Sequence, residues 1–323
     1  MLATTLPFLA LLIGVCGLIF GADRFVNGSA GTAKNFGISP LVIGLTVVSI
    51  GTSAPEIIVS ISAALRDASA LAVGNAIGSN LANIGLVLGV TLLIAPLPVQ
   101  RHLIVEEGPA LLLVTLLAGV ILFNNTLGRA ESIALMLLAI PLLFATIKYK
   151  KHHPDSELIE EGENRPTLST SAAVIALSFG LAVLLASAEL TVWGATEIAS
   201  RLGVSELIVG LTVVAIGTSL PELAASVASA LKGHTDIALG NVLGSNLFNL
   251  MLVMTASGII QPSTLDSAVF TRDFASMAAI TLLLVIAIAW ALRRGGALTK
   301  PLGVLFLLCY AGYYASLTPA LMQ

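Results

Sequence analysis

The sequence predicts an all-α polytopic membrane protein, with ten transmembrane helices arranged as two inverted-topology repeats of five. Three observations predict it. Of 323 residues, 57% are apolar and only 10% are charged, against about a quarter charged in soluble domains. The apolar residues fall in ten runs separated by short polar stretches, and mean hydropathy is +1.00. Two of those runs recur, nearly residue for residue, at a constant spacing. This composition excludes an ordinary soluble domain, a disordered chain and a collagen-like repeat. The net charge is −3 and no basic tract offers a footprint for nucleic acid.

The runs cover approximately 5–33, 38–65, 69–95, 108–123, 130–149, 170–200, 204–231, 236–260, 273–292 and 301–319. Ten spans of about 20 residues consume most of the chain. The first run is interrupted by Asp23, Arg24 and Asn27. No Lys or Arg precedes it, so it reads as a span rather than a cleaved signal peptide. The one long polar stretch, 150–167, separates a first five-helix repeat (1–149) from a second (168–323). Its acidic residues Glu157, Glu160, Glu161 and Glu163 read as a solvated linker. Cys16 and Cys309 lie inside apolar runs and read as buried small hydrophobes. The histidines, His102, His152, His153 and His234, fall near predicted loops and are assigned to no site.

Lys and Arg orient the spans. With the first end outside and ten crossings, the inside segments hold Arg24, Lys34, Arg101, Lys148, Lys150, Lys151, Arg165, Lys232, Arg293, Arg294 and Lys300. The outside segments hold Arg66, Arg129, Arg201 and Arg272. Eleven of the 15 basic residues therefore face the cytoplasm. The bias predicts both termini outside and loop 150–167 inside.

The repeat is explicit. Residues 41–56, LVIGLTVVSIGTSAPE, match residues 207–222, LIVGLTVVAIGTSLPE, at twelve of sixteen positions and an offset of 166. The same offset pairs VGNAIGSNLANI (73–84) with LGNVLGSNLFNL (239–250) at seven of twelve positions. It also pairs Asp23 with Glu189, Gly28 with Gly194 and Gly37 with Gly203. Five spans is an odd number, so the second copy enters the membrane from the opposite side. Such inverted repeats are typical of secondary transporters, whose sites lie near the midplane between the copies.

Each copy carries Gly-Thr-Ser-x-Pro-Glu inside an apolar run, Gly51–Glu56 and Gly217–Glu222. Proline lacks an N–H and clashes with the carbonyl four residues earlier, so Pro55 and Pro221 are expected to free the carbonyls of Gly51 and Gly217. An ionised carboxylate at the midplane costs about 2.5–3.5 kcal/mol on insertion scales. Glu56 and Glu222 have no Lys or Arg near them in their broken helices, so a shared bound cation is the economical partner. Each copy also carries Gly-Asn-x-x-Gly-Ser-Asn-x-x-Asn, Gly74–Asn83 and Gly240–Asn249. The glycines at four-residue spacing allow close helix approach. The same spacing puts Ser79 with Asn83, Ser245 with Asn249, Thr52 with Glu56 and Thr218 with Glu222 on shared faces. Carboxylates, hydroxyls and amide oxygens suit Ca2+, Na+, Mg2+ or Mn2+ rather than Zn2+ or Cu+. Two glutamates supply up to four oxygens and balance one Ca2+; Thr52, Thr218 and freed carbonyls can complete its shell. Na+ can use the same oxygens, the physical basis for competition.

At these residues the sequence resembles the sodium/calcium exchanger family, within the calcium/cation antiporter superfamily. GTSAPE with GNAIGSNLAN resembles the first alpha repeat, and GTSLPE with GNVLGSNLFN the second. The resemblance covers essentially the whole chain, and the short linker marks a compact prokaryotic-type member. It implies Na+/Ca2+ antiport by alternating access in a prokaryotic inner membrane. Glu56 and Glu222 would be central Ca2+ ligands, and Thr52 and Thr218 would contribute to the same ion. Ser53, Ser79, Ser219 and Ser245 would line Na+ sites. Asn83 would face Asn249 at the centre, with the carbonyls of Ser49 and Ala215 assisting. The chain departs from many exchangers at Asn249, where they carry Asp, leaving at most two negative charges.

Other readings are weighed against this one. An H+- or K+-coupled Ca2+ or other divalent-cation antiporter keeps the fold and changes the driving ion. An intramembrane enzyme lacks an obvious nucleophile, and channels tend to use oligomeric rings of ligands. No cofactor and no protein partner is implied; the expected surroundings are the lipid bilayer, and the expected cargo is Ca2+ and Na+.

Overall fold

The computed structural model describes residues 2–152, 168–202 and 215–321. Most of linker 150–167, and stretch 203–214 of the seventh apolar run, lie outside the described residues. The fold is almost entirely helical, as an apolar chain in lipid requires, because helices satisfy their own backbone groups. Helix α1 spans Leu2–Phe36. Next come α2 (Pro40–Thr52), α3 (Ala54–Leu65), α4 (Ser69–Ile94) and α5 (Leu103–Leu122), then α6 (Arg129–His152). The second half holds α7 (Thr170–Arg201), α8 (Ala215–Thr218) and α9 (Leu220–Leu231). It closes with α10 (Thr235–Ile260), α11 (Val269–Arg294) and α12 (Lys300–Leu321). Among the described residues, six helices are long and apolar enough to cross a membrane, or seven if the bent pair α2–α3 forms one span. This is an integral membrane protein.

The elements recur at the spacing found in the sequence. Helix α3 begins at residue 54 and α9 at 220; α4 covers 69–94 and α10 covers 235–260. Both α4 and α10 contain a widened π-turn, starting at Asn83 and at Asn249. Such turns are frequent at functional sites. Short strands β1 (Leu97–Pro98), β2 (Thr126–Leu127), β3 (Ser263–Thr264) and β4 (Ala297–Leu298) were not foreseen in the sequence. They pair antiparallel across the halves, β1 with β4 and β2 with β3.

Helices α4 and α10 occupy the centre, and α1 and α7 pack together outside it. Small residues set the α1–α7 approach. A Cβ added to Gly14 would meet Thr191 N at 2.8 Å, one on Gly21 Leu184 N at 2.7 Å, and one on Gly28 Ala173 O at 2.8 Å. Numbers rise along α1 as they fall along α7, so these repeat-equivalent helices run antiparallel.

The structure alters several expectations in detail. The run 38–65 is broken at Ser53 (φ −81°, ψ 9°), with a 45° bend between α2 and α3. Pro55 sits in the first turn of α3, where its missing N–H costs nothing. Two carbonyls of the preceding turn, Gly51 and Ser49, are met by backbone N–H groups at the cap. The tight turn at Ser53 thus re-satisfies the Gly51 carbonyl that Pro55 was expected to free. Helix α5 begins at Leu103 rather than near 108, and α11 at Val269 rather than near 273. Their charged first turns are carried inside the helices because partners are at hand: Glu107 meets His102 at 3.2 Å, and Asp273 meets Arg272 at 2.7 Å. Cys16 is exposed rather than buried. It lies on the outer face of α1, where hydrocarbon replaces a protein core.

Candidate functional site

The two helix breaks and the two π-turns meet in the middle of the molecule. Thr52 closes α2, Ser53 is the break, and Glu56 stands in the first turn of α3. Thr218, Ser219 and Glu222 repeat this at α8–α9. Ser79 and Asn83 come from α4, and Ser245 and Asn249 from α10. The π-turn at Asn83 packs on α9, and the π-turn at Asn249 packs on α3. Each half therefore lends its asparagine turn to the other half's glutamate helix. Every one of these ten side chains is buried except that of Thr218, which is half-buried.

Hydrogen bonds stitch the halves together. Ser53 Oγ donates to Glu222 Oε1 at 2.9 Å. Thr52 Oγ1 donates to Asn241 Oδ1 at 3.1 Å. Asn241 Nδ2 donates to the Glu222 carbonyl at 3.3 Å and to Ser226 Oγ at 2.9 Å. Its equivalent, Asn75, donates to the Glu56 carbonyl and to Ser60 Oγ, both at 3.2 Å. Asn75, Asn241, Ser60 and Ser226 were not singled out in the sequence. The second position of each Gly-Asn motif was the available signal, because it repeats at the same offset as the ligand candidates.

Close packing holds this arrangement. A Cβ on Gly240 would lie 2.7 Å from the Leu41 carbonyl, and one on Gly44 would lie 2.8 Å from the Ile237 carbonyl. Gly240 and Gly44 thus allow α10 to cross α2 in backbone contact, as the small-residue spacing predicted. The segment expected to meet Gly74 and Gly78 falls within 203–214, outside the described residues.

Several of the site's buried polar atoms are unsatisfied. Among the described residues, Glu56 Oε2, Glu222 Oε2, Ser219 Oγ, Ser245 Oγ and both side-chain polar atoms of Asn83 and Asn249 lack a hydrogen-bond partner. Leaving one such buried group unpaired costs about 1–3 kcal/mol. A concentration of them calls for an explanation, and a ligand that these atoms surround supplies one. The donor set is oxygen-rich with two carboxylates. Among the described residues no group of three or more His, Cys, Asp and Glu is placed to hold a metal ion. Hard cations fit this set, and thiophilic metals do not.

Comparison with known proteins agrees. The family model described as sodium/calcium exchanger protein matches residues 6–148 and 172–318. The chain is 46% identical over 308 residues to the putative antiporter CaxA of Alkalimonas amylolytica, covering 94% of this chain and 95% of that one. It is 32% identical over 328 residues to the sodium/calcium exchanger MaX1 of Methanosarcina acetivorans, covering 90% and 94%. Among solved structures it resembles the sodium-calcium exchanger NCX_Mj soaked with 10 mM Na+ and zero Ca2+. That match has a TM-score of 0.84 at 35% identity and covers 97% of this chain and 99% of that one.

Proposed function

The chain belongs to the sodium/calcium exchanger family, and we propose that its Na+/Ca2+ antiport runs through one cation site shared by Glu56 and Glu222. The observation that carries this is the pair of buried glutamates on broken helices, each with an unpaired carboxylate oxygen. Ca2+ lies between the two carboxylates, which together balance its charge, and Thr52 and Thr218 complete the ring of oxygens. Na+ takes Ser53, Ser79, Ser219 and Ser245 with the same carboxylates, so the two cargoes exclude each other. Asn83 and Asn249 are neutral dipoles at the centre, able to turn either their oxygen or their amide toward the occupant.

The ten helices form two inverted repeats, 1–149 and 168–323, joined by the cytoplasmic loop 150–167 with both termini outside. Three facts support this. Helices α3, α4 and α5 and strand β1 recur 166 residues later as α9, α10, α11 and β3, α1 and α7 run antiparallel, and the family model matches once in each half. Inverted copies around one site can swap conformations, opening the site first to one side and then to the other. The membrane is the prokaryotic plasma membrane.

Purified protein in Na+-loaded liposomes, diluted into Na+-free buffer with radioactive Ca2+, tests the reading. Ca2+ uptake that requires internal Na+ is expected. Uptake driven instead by internal K+ or by an imposed pH gradient would overturn sodium coupling.

A further inference from the structure

Asp23 and Glu189 share the repeat spacing yet take no part in the cation site. Their surroundings assign them a different task. Ten residues beyond each site glutamate stands a cation: Lys232 caps the C-terminus of α9, and Arg66 caps α3. One unbroken helix of 12 residues thus joins each glutamate to its cation, a span of about 15 Å at 1.5 Å per residue.

Lys232 is tied to α1 at three points. Its Nζ pairs with the Asp23 carboxylate at 2.5 Å, donates to Asn27 Oδ1 at 2.7 Å and donates to the Asp23 backbone carbonyl at 3.1 Å. Asn27 Nδ2 in turn donates to Asp23 Oδ2 at 3.3 Å. An offset of 166 carries Asp23 onto Glu189 and Lys232 onto Arg66, acid onto acid and cation onto cation. The second pair is not made. Glu189 and Arg66 are both exposed, and neither side chain has a hydrogen-bond or ion-pair partner among the described residues. Consistently, α1 packs against α9, whereas its equivalent α7 has no comparable packing on α3.

We propose that the two charge pairs are alternating latches of the transport cycle. The Asp23–Asn27–Lys232 latch shuts one face in this state, and Glu189–Arg66 shuts the opposite face once the first has opened. The inference rests on alternating access at the glutamate site and adds the groups that hold each closed state. Helices α3 and α9 are rigid levers, so a change of occupant at Glu222 reaches Lys232 without an intermediate hinge. A partly exposed ion pair is weak, which suits a contact that must open in every cycle.

Spin labels at repeat-equivalent positions test this in the full-length protein in liposomes, after Cys16→Ala and Cys309→Ala. Phe36→Cys with Leu231→Cys reports the first latch, and Leu202→Cys with Leu65→Cys the second; all four side chains are exposed. The Asp23–Lys232 side is expected to give the shorter distance and the other side the longer. Lys232→Gln should shift the population toward the reversed pattern about fivefold, the upper range for a partly exposed ion pair. Arg66→Gln should shift it the opposite way, and Asp23→Lys combined with Lys232→Asp should restore the starting pattern. Variants that leave both distances unchanged, or move them in the same direction, overturn the latches. Distances that never respond to Na+ or Ca2+ in the unaltered latch background would instead overturn alternating access itself.

Discussion

The Glu56 helix and the Glu222 helix carry one motif and stand in two environments. Their scaffolds agree: each is 12 residues long, has proline in its first turn and has its glutamate carbonyl held by the asparagine of a neighbouring Gly-Asn. Their cation-facing side chains do not. Ser53 reaches across to Glu222, while its twin Ser219 leaves its hydroxyl without a partner. Asn241 receives a further bond from Thr52 across the halves. The comparison separates bonds that are symmetric between the halves, those of Asn75 and Asn241, from bonds made in one half only, those of Ser53 and Thr52.

The largest effect should come from removing either charge. Glu56→Gln and Glu222→Gln should each reduce Na+-dependent Ca2+ uptake by more than about 100-fold. Charge-assisted contacts to a carboxylate are each worth about 1.5–3 kcal/mol, and the ion makes several. Size-exclusion profiles should be unchanged, because the amides are the less costly groups to bury. Full transport in one variant would show that the glutamates are unequal and break the symmetry of the site.

Gly240→Ala comes next. The added methyl would press on the Leu41 carbonyl at 2.7 Å, and overpacking of this kind costs about 1–3 kcal/mol. A lower thermal midpoint is expected, with transport falling alongside it. An unchanged midpoint would mean that the α2–α10 crossing is loose.

Asn241→Ala and Asn75→Ala sharpen the scaffold half of the comparison. Interhelical polar contacts in membranes average about 0.6 kcal/mol, with a maximum near 1.7. Both variants should be destabilised in thermal unfolding, with Asn241→Ala the worse because it also loses Thr52. Equal losses would mean that the Thr52 bond contributes nothing.

The serines give the smallest and most selective effect. In cation-free protein Ser53→Ala should lower the thermal midpoint slightly, by losing a bond to Glu222, and Ser219→Ala should not. Na+ affinity in calorimetry should fall several-fold in both. A midpoint loss in Ser219→Ala would place its hydroxyl in a structural bond.

Much of this was legible in the sequence. Among the described residues apolar run lengths placed the helix ends within a few residues, and the 166-residue spacing exposed the internal repeat. Buried glutamates in an apolar run, with no basic residue beside them, pointed to a cation because no other partner was within reach. The break at Ser53 was placed only approximately, since proline marks the first turn of a new helix as readily as a kink. The charged first turns of α5 and α11 were placed in loops, because their partners His102 and Tyr313 could not be recognised by spacing.

The sequence by itself determined the class of protein, its internal repeat and the residue types of the proposed site. Hydrophobic periodicity and internal similarity are local properties, readable one segment at a time. The tertiary structure decided which asparagine holds which carbonyl, which serine reaches across to a carboxylate and which charge pair is closed. Those contacts join residues as far apart as Ser53 and Glu222 or Asp23 and Lys232. Two equivalent sequences offer the same contacts twice; both asparagine–carbonyl bonds are made, but only one of the two serine–glutamate bonds and one of the two charge pairs.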